Sequence, residues 1–272
     1  MQLASWSLLY NIVKRSEVVL EVVDIRDPIS TRSRRLERMV ERLGRELIIV
    51  LNKSDLVPRH VAEEWKRIFR GEGYNVVYMA ARDHKGTRVL RRTIKEVAPG
   101  LPTIVAVTGF PKTGKSTIIN ALKGRHSAST SPIPGSPGYT RHAQLYRIDS
   151  NIYMIDTPGV IPVEGGELES IIRGQPPETL SDPVRPAIML LEKALKYNPY
   201  CVLEAYGIRE KDPLRILELI ALKRGWRYKS TKEPLIEEAA RTVIRNYHEG
   251  KLLFYVPPHE YIKLRRRSFL ES

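Results

Sequence analysis

From Glu17 to about Asp156 the chain alternates short β-branched runs with amphipathic segments. VVLEVVD, ELIIVLN, NVVYMAA, TIVAVTG, AQLYRI and IYMID read as strands. Between them RSRRLERMVERL, HVAEEWKRIFRG, TRVLRRTIKEV and KSTIINALKG repeat apolar residues at helical spacing. This alternation predicts an α/β domain built on a doubly wound, mostly parallel sheet. Ligands of such sheets bind at the carboxyl ends of the strands, so polar residues there are the first candidates for chemistry.

Past Pro176, Pro177, Pro183 and Pro186 the period becomes helical and no further strand run occurs. PAIMLLEKALKY, DPLRILELIALKRG and EPLIEEAARTVIRNYHEG each carry a proline near the first turn, and two close on glycine. They predict a small all-helical second domain. The expected division is a sheet domain over 1–175, a helical domain over 176–258 and a flexible basic tail over 259–272.

Composition adds a partner. Forty-five Lys and Arg against 31 Asp and Glu leave a formal charge of +14, a field that steers the molecule toward a polyanion, nucleic acid first. Cys201 is the one cysteine of the 272 residues, which excludes an internal disulfide or a Cys-rich zinc site. No apolar run approaches the roughly 18 residues of a membrane span. MQLASWSLLYNIVKRS carries its basic residues after its apolar part, unlike a secretory signal. The expectation is a soluble, cytoplasmic, monomeric protein with no membrane association.

The chemistry lies at three strand ends. Gly109-Phe110-Pro111-Lys112-Thr113-Gly114-Lys115-Ser116 fits the phosphate-loop pattern, with a strand before it and a helix after it. Backbone N–H groups from Thr113 through Gly114 to Ser116 would wrap the β-phosphate and Lys115 would reach the β- and γ-oxygens. Ser116 would ligate Mg²⁺, and Lys112 and Thr117 complete the nucleotide-binding stretch. Asp156-Thr157-Pro158-Gly159 ends IYMID, placing Asp156 to hold Mg²⁺ through water and the Gly159 N–H at the γ-phosphate. Asn52-Lys53-Ser54-Asp55 follows ELIIVL, and the Asp55 carboxylate suits the paired N–H groups of guanine, which adenine lacks. Ala80-Ala81-Arg82 would offer a backbone N–H to guanine O6.

The base motif precedes the phosphate loop, the reverse of the usual GTPase order. That order, with the segment SPGYTRHAQ containing Thr140 and then Asp156 to Gly159, resembles the circularly permuted GTPases of the YlqF/YawG type. In a doubly wound sheet the natural ends can lie close together, so joining them and cutting elsewhere keeps the site. The likeness runs over roughly residues 17–258 and includes EAARTVIRNYHEGKLLFYVPP, which is similar to the closing segment of the helical domain in archaeal and eukaryotic members. The resemblance implies a P-loop GTPase fold and GTP or GDP as ligand. It implies Mg²⁺ on Ser116, Thr140 and Asp156, and catalytic work by Lys115, Thr140 and Gly159. It also implies a role in assembly of the large ribosomal subunit, with that subunit or its precursor and rRNA as partners.

Two departures bear on turnover. Val160 stands where Ras-like GTPases place the glutamine that orients water, so intrinsic hydrolysis is expected to be slow and to be stimulated by ribosomal particles. The N-terminal segment lacks the histidine that bacterial relatives carry there; His126 and His142 flank the switch, either as substitutes or as ordinary loop residues. Lys112 replaces the asparagine with which potassium-stimulated GTPases ligate a monovalent ion, so the need for such an ion stays open. Two functions remain: a GTP-hydrolysing switch, and a GTP-dependent RNA-binding scaffold with negligible turnover. For RNA the chain offers Lys223, Arg224, Arg227 and Lys229 with Trp226 and Tyr228 interleaved, then Lys263, Arg265, Arg266 and Arg267.

Overall fold

The structure is a computed structural model that describes residues 6–123, 144–157 and 166–263. The chain divides into two compact units, Met1–Gly165 and Gly166–Ser272.

In the first unit VVLEVVD becomes β1 (Val18–Asp24), whose seven residues are all buried. A strand covered on both faces belongs inside a parallel sheet, and β1 pairs in parallel with β2 (Glu46–Asn52) on one side and β4 (Thr103–Thr108) on the other. With β3 (Asn75–Met79), β5 (Gln144–Arg147) and β6 (Ile152–Asp156) the sheet order is β3-β2-β1-β4-β6-β5, and β5 alone is antiparallel to its neighbour. Two helices not expected from the sequence also occur, α1 (Trp6–Lys14) and the short α2 (Pro28–Thr31). The expected ones are α3 (Arg34–Arg42), α4 (Arg59–Gly71), α5 (Thr87–Val97) and α6 (Lys115–Lys123).

Side-chain alternation along β1 sorts the helices between the sheet's faces. Val18, Leu20 and Val22 pack with Leu90 and Ile94 of α5 and Ile118 and Ile119 of α6. Val19, with Ala106, packs with Leu9, Ile12 and Val13 of α1 and Leu36 and Val40 of α3. Ser33 caps α3 through the Leu36 N–H, fixing where that helix starts. β3 ends sooner than NVVYMAA suggested. Ala80 leaves the ladder to exchange backbone bonds with Lys85, and Ala81 opens a 3₁₀ turn, Ala81–Asp83.

The second unit is helical: α7 (Glu167–Gly174), α8 (Val184–Tyr197), α9 (Cys201–Tyr206), α10 (Pro213–Lys223) and α11 (Ile236–Glu249). Leu190, Leu191 and Ala194 of α8, Ile216, Leu217 and Ile220 of α10, and Val243, Ile244 and Tyr247 of α11 form its core. Asp212 caps α10 with Pro213 in the first turn, and Gly250 ends α11 at φ 78°, a conformation glycine takes without strain. No described helix is long and apolar enough to cross a membrane.

Two expected boundaries move. The division falls at Gly165/Gly166 rather than 175/176, because Ile172 joins the helical core and Arg173 donates to the Tyr247 hydroxyl. The expected tail over 259–272 begins with order: residues 258–263 are helical and Tyr261 is buried.

Candidate functional site

Four parallel strands bring Asp24, Asn52, Met79 and Asp156 to one edge of the sheet. Asp24 is level with Asn52, Asn52 with Met79, and Asp156 with Val107, one residue before β4 ends at Thr108. The base motif and the phosphate loop leave that edge as adjoining loops, and Asp156 ends β6 at the same edge.

Two glycines of the phosphate loop stand where a side chain would not fit. Gly109 has φ 134°, and a Cβ there would lie 2.3 Å from the Val22 carbonyl oxygen. Gly114 has φ 102°, and its Cβ would lie 2.2 Å from Nδ2 of Asn52. Lys112 adopts a left-handed conformation too, with φ 61°. The Thr113 hydroxyl donates to the Phe110 carbonyl at 2.9 Å, and the Lys115 ammonium donates to the carbonyls of Gly109 and Phe110, each at 2.9 Å. The lysine charge is thus held against the loop instead of extending into solvent. Ser116 and Thr117 are exposed on the first turn of α6, where free N–H groups and the helix dipole favour an anion.

One side chain ties the loops together. The buried Asn52 amide donates through Nδ2 to the Thr113 carbonyl at 2.9 Å and accepts through Oδ1 from the Ala81 N–H at 3.2 Å. Base motif, second base loop and phosphate loop therefore share a single planar group. Next to it Lys53 takes a left-handed turn, φ 65°, and its ammonium donates to Asp24 Oδ2 at 2.7 Å. That turn opens the 3₁₀ segment Ser54–Leu56, on which Asp55 stands exposed with its acceptors available. Ala80 and Ala81 are buried, and Arg82 is exposed beside them.

Asp24 was not singled out from the sequence. It is fully buried and accepts from the backbone N–H, Nε and Nη2 of Arg26, the last at 2.8 Å, as well as from Lys53. The one signal was an acid closing an apolar strand with an arginine two positions on, DIR at 24–26.

Asp156 is half-buried. Burial pushes its carboxyl above the ordinary value while Lys115 and Lys123 pull it down. A divalent cation offsets that burial cost, and the oxygen donors of Ser116 and Asp156 suit Mg²⁺, so these residues fit the ion the sequence implied. The Thr157 hydroxyl anchors the end of β6 to the Val107 carbonyl at 2.8 Å. Thr140, Pro158, Gly159, Val160, His126 and His142 lie outside the described residues. In the second unit Trp226 packs on the helical core under the Arg224 guanidinium, 5.1 Å from its ring centroid, while Tyr228 is exposed.

The family model for RsgA GTPase matches residues 13–164. GTP-binding protein MJ1464 of Methanocaldococcus jannaschii is 34% identical over 252 residues, which cover 91% of this chain and 66% of that protein. Nucleolar GTP-binding protein 2 of Neurospora crassa is 30% identical over 275 residues, covering 94% of this chain. The chain spans 66% and 42% of the lengths of these two relatives. The crystal structure of GNP-bound YlqF from T. maritima has the same fold, with a TM-score of 0.65 at 24% identity, covering 93% of this chain and 97% of that one. The match over the first unit, the sheet order and a base motif placed ahead of the phosphate loop agree: the chain belongs to the RsgA GTPase family, as a circularly permuted GTPase with the YlqF fold.

Proposed function

We propose that the first unit binds GTP and GDP and hydrolyses GTP slowly, and that the protein acts as a switch in large ribosomal subunit assembly by binding rRNA. In this reading Asp55 pairs with guanine, Asn52 and Lys53 shape its loop, and Ala80, Ala81 and Arg82 meet the base carbonyl. The phosphates lie on Lys112 to Thr117 and on Gly159, with Lys115 supplying the charge nearest the reacting phosphate. Ser116, Thr140 and Asp156 would hold Mg²⁺, which when bound neutralises charge on the phosphate oxygens.

The observation that carries the reading is the Asn52 amide, bonded at once to Thr113 and Ala81. It makes the base and phosphate loops one recognition surface. The ribosomal role is supported by the likeness of the motif order and of Glu238–Pro258 to ribosome-assembly GTPases. It is supported as well by relatives named as nucleolar GTP-binding proteins. The switch follows from connectivity. The chain passes from Asp156–Gly159 into the second unit within a few residues, so ordering of that segment by the γ-phosphate would act on the helical unit.

Sedimentation of the purified chain with separated ribosomal subunits, in GDP and in a non-hydrolysable GTP analogue, tests partner and switch together. Binding to large subunits favoured by the analogue is expected. Equal binding in both nucleotides removes the switch, and equal binding to small subunits removes the target. Multiple-turnover phosphate release with and without subunits separates the GTPase from a scaffold with negligible turnover.

A further inference from the structure

The outer face of α3, with the adjoining face of α1, carries a row of exposed cations. The two helices share one core on this face of the sheet. The Arg35 guanidinium sits 4.1 Å from the Trp6 ring centroid at one end, and at the other Arg45 Nη2 donates to the Lys14 carbonyl at 2.8 Å. Arg35, Arg38 and Arg42 recur at i, i+3 and i+7 and are all exposed on one side of α3. Arg38 and Arg42 make no hydrogen bond or ion pair among the described residues. On α1 the exposed positions are Ser7, Tyr10, Asn11 and Lys14, and that helix has no acidic residue. Glu41 and Glu46 flank the patch and leave it net positive.

On α5, by comparison, three of the four basic residues are paired, Arg92 with Glu96 and Arg91 and Lys95 with Asp149, while Arg88 has no ion pair among the described residues. The α3 set is all arginine, whose planar fork matches phosphate oxygens in pairs where lysine offers a point charge. Trp6 beneath Arg35 fixes one fork in advance, and the exposed Tyr10 offers a stacking face. At 1.5 Å of rise per residue, Arg35 and Arg42 stand about 10 Å apart, enough to follow one phosphate strand.

We propose that this face is an RNA-docking surface of the first unit, separate from the basic residues of the second. The proposal rests on the RNA-binding reading above and adds a place and a property to it. α3 starts beyond the carboxyl end of β1 and delivers the chain to the amino end of β2, so the patch runs from the ligand edge down the side of the sheet. None of Arg35, Arg38 and Arg42 belongs to the nucleotide motifs, so the grip of the patch on RNA is expected to be the same in GDP and GTP.

The test is fluorescence anisotropy of a labelled stem-loop RNA with the full chain over a KCl series, in GDP and in the GTP analogue. Arg35→Gln/Arg38→Gln/Arg42→Gln is compared with Lys223→Gln/Arg224→Gln/Arg227→Gln, and GDP affinity serves as the folding control. Each phosphate contact contributes roughly 0.7 to 0.9 to the log–log salt slope, so the α3 variant should lose about 2 to 3 from it, equally in both nucleotides. Restoring charge with lysine at the three positions should recover most of the slope. Unchanged affinity and slope in the α3 variant, with loss in the second-unit variant, would overturn the proposal and leave the RNA reading standing. A wild type that binds no RNA would end both. Charge-dependent capture by phosphatidylserine vesicles, with RNA binding untouched by the α3 changes, would assign the face to a membrane and overturn it as well.

Discussion

Replacing Asp24 by Asn should damage the first unit more than replacing the lysine of the base motif. The Asp24 and Arg26 side chains are both 0% exposed, and the pair is closed by contacts at 2.8 and 3.0 Å. An amide in place of the carboxylate leaves a buried guanidinium against a neutral partner, and breaking a buried pair from one side costs about 3–5 kcal/mol. Lys53 is 15% exposed, so in Lys53→Met the Asp24–Arg26 pair survives and the loss should be about 1 kcal/mol. Urea unfolding reads the difference. A Trp226→Phe background leaves Trp6 and Trp65, both in the first unit, as its fluorophores. GDP affinity should fall in both variants, since each frees the turn that presents Asp55. An Asp24→Asn midpoint within the error of wild type, or a larger loss in Lys53→Met, would refute the reasoning: the buried carboxylate would not be what holds the loop.

Asn52→Ala removes two hydrogen bonds and leaves the Thr113 carbonyl and Ala81 N–H without them, a loss of about 2–3 kcal/mol, or roughly 100-fold in GDP affinity by titration calorimetry. Burial, reinforced by Glu37, pushes the Glu21 carboxyl from its ordinary 4.5 up to about 8. The folded chain therefore keeps a proton that the unfolded chain releases, and the stability this gives is complete below 4.5 and is lost as pH rises through about 8. Glu21→Gln keeps an acceptor for the Ser33 N–H and should flatten that decline in unfolding measured against pH. With Lys112 in place of an ion-ligating asparagine, exchanging KCl for NaCl should leave GTP hydrolysis unchanged, while Lys112→Asn should introduce potassium dependence; several-fold potassium stimulation of the wild type would contradict this.

The sheet, and the strand ends that carry the base motif, the phosphate loop and Asp156, were legible because their signals are local. Buried strands announce themselves as apolar runs, and polar residues just past such runs fall at the ligand edge by topology alone. Asp24 and Glu21 were not legible. Neither acid of VVLEVVD disturbs the strand pattern, and the meaning of each depends on partners contributed by other segments, Lys53 for Asp24 and the α3 cap for Glu21. α1 was overlooked although Leu9, Ile12 and Val13 stand at helical spacing, because a single short amphipathic stretch carries little weight by itself. The unit boundary was drawn at the prolines, whereas the cores divide earlier. Ile172 packs in the helical core and Arg173 bonds to Tyr247, a neighbour 74 positions away.

The Asn52 amide joins segments 61 residues apart in the chain. Such a contact closes late, since distant pairings wait until the intervening loop has been ordered. During synthesis the base motif leaves the ribosome well before the phosphate loop does, and until Thr113 has emerged the amide has no partner there to bond. A half-made chain can thus carry the base motif before the loop that it is bonded to exists. In this chain the order of synthesis is base motif first and phosphate loop second, the reverse of GTPases that carry the phosphate loop at the front.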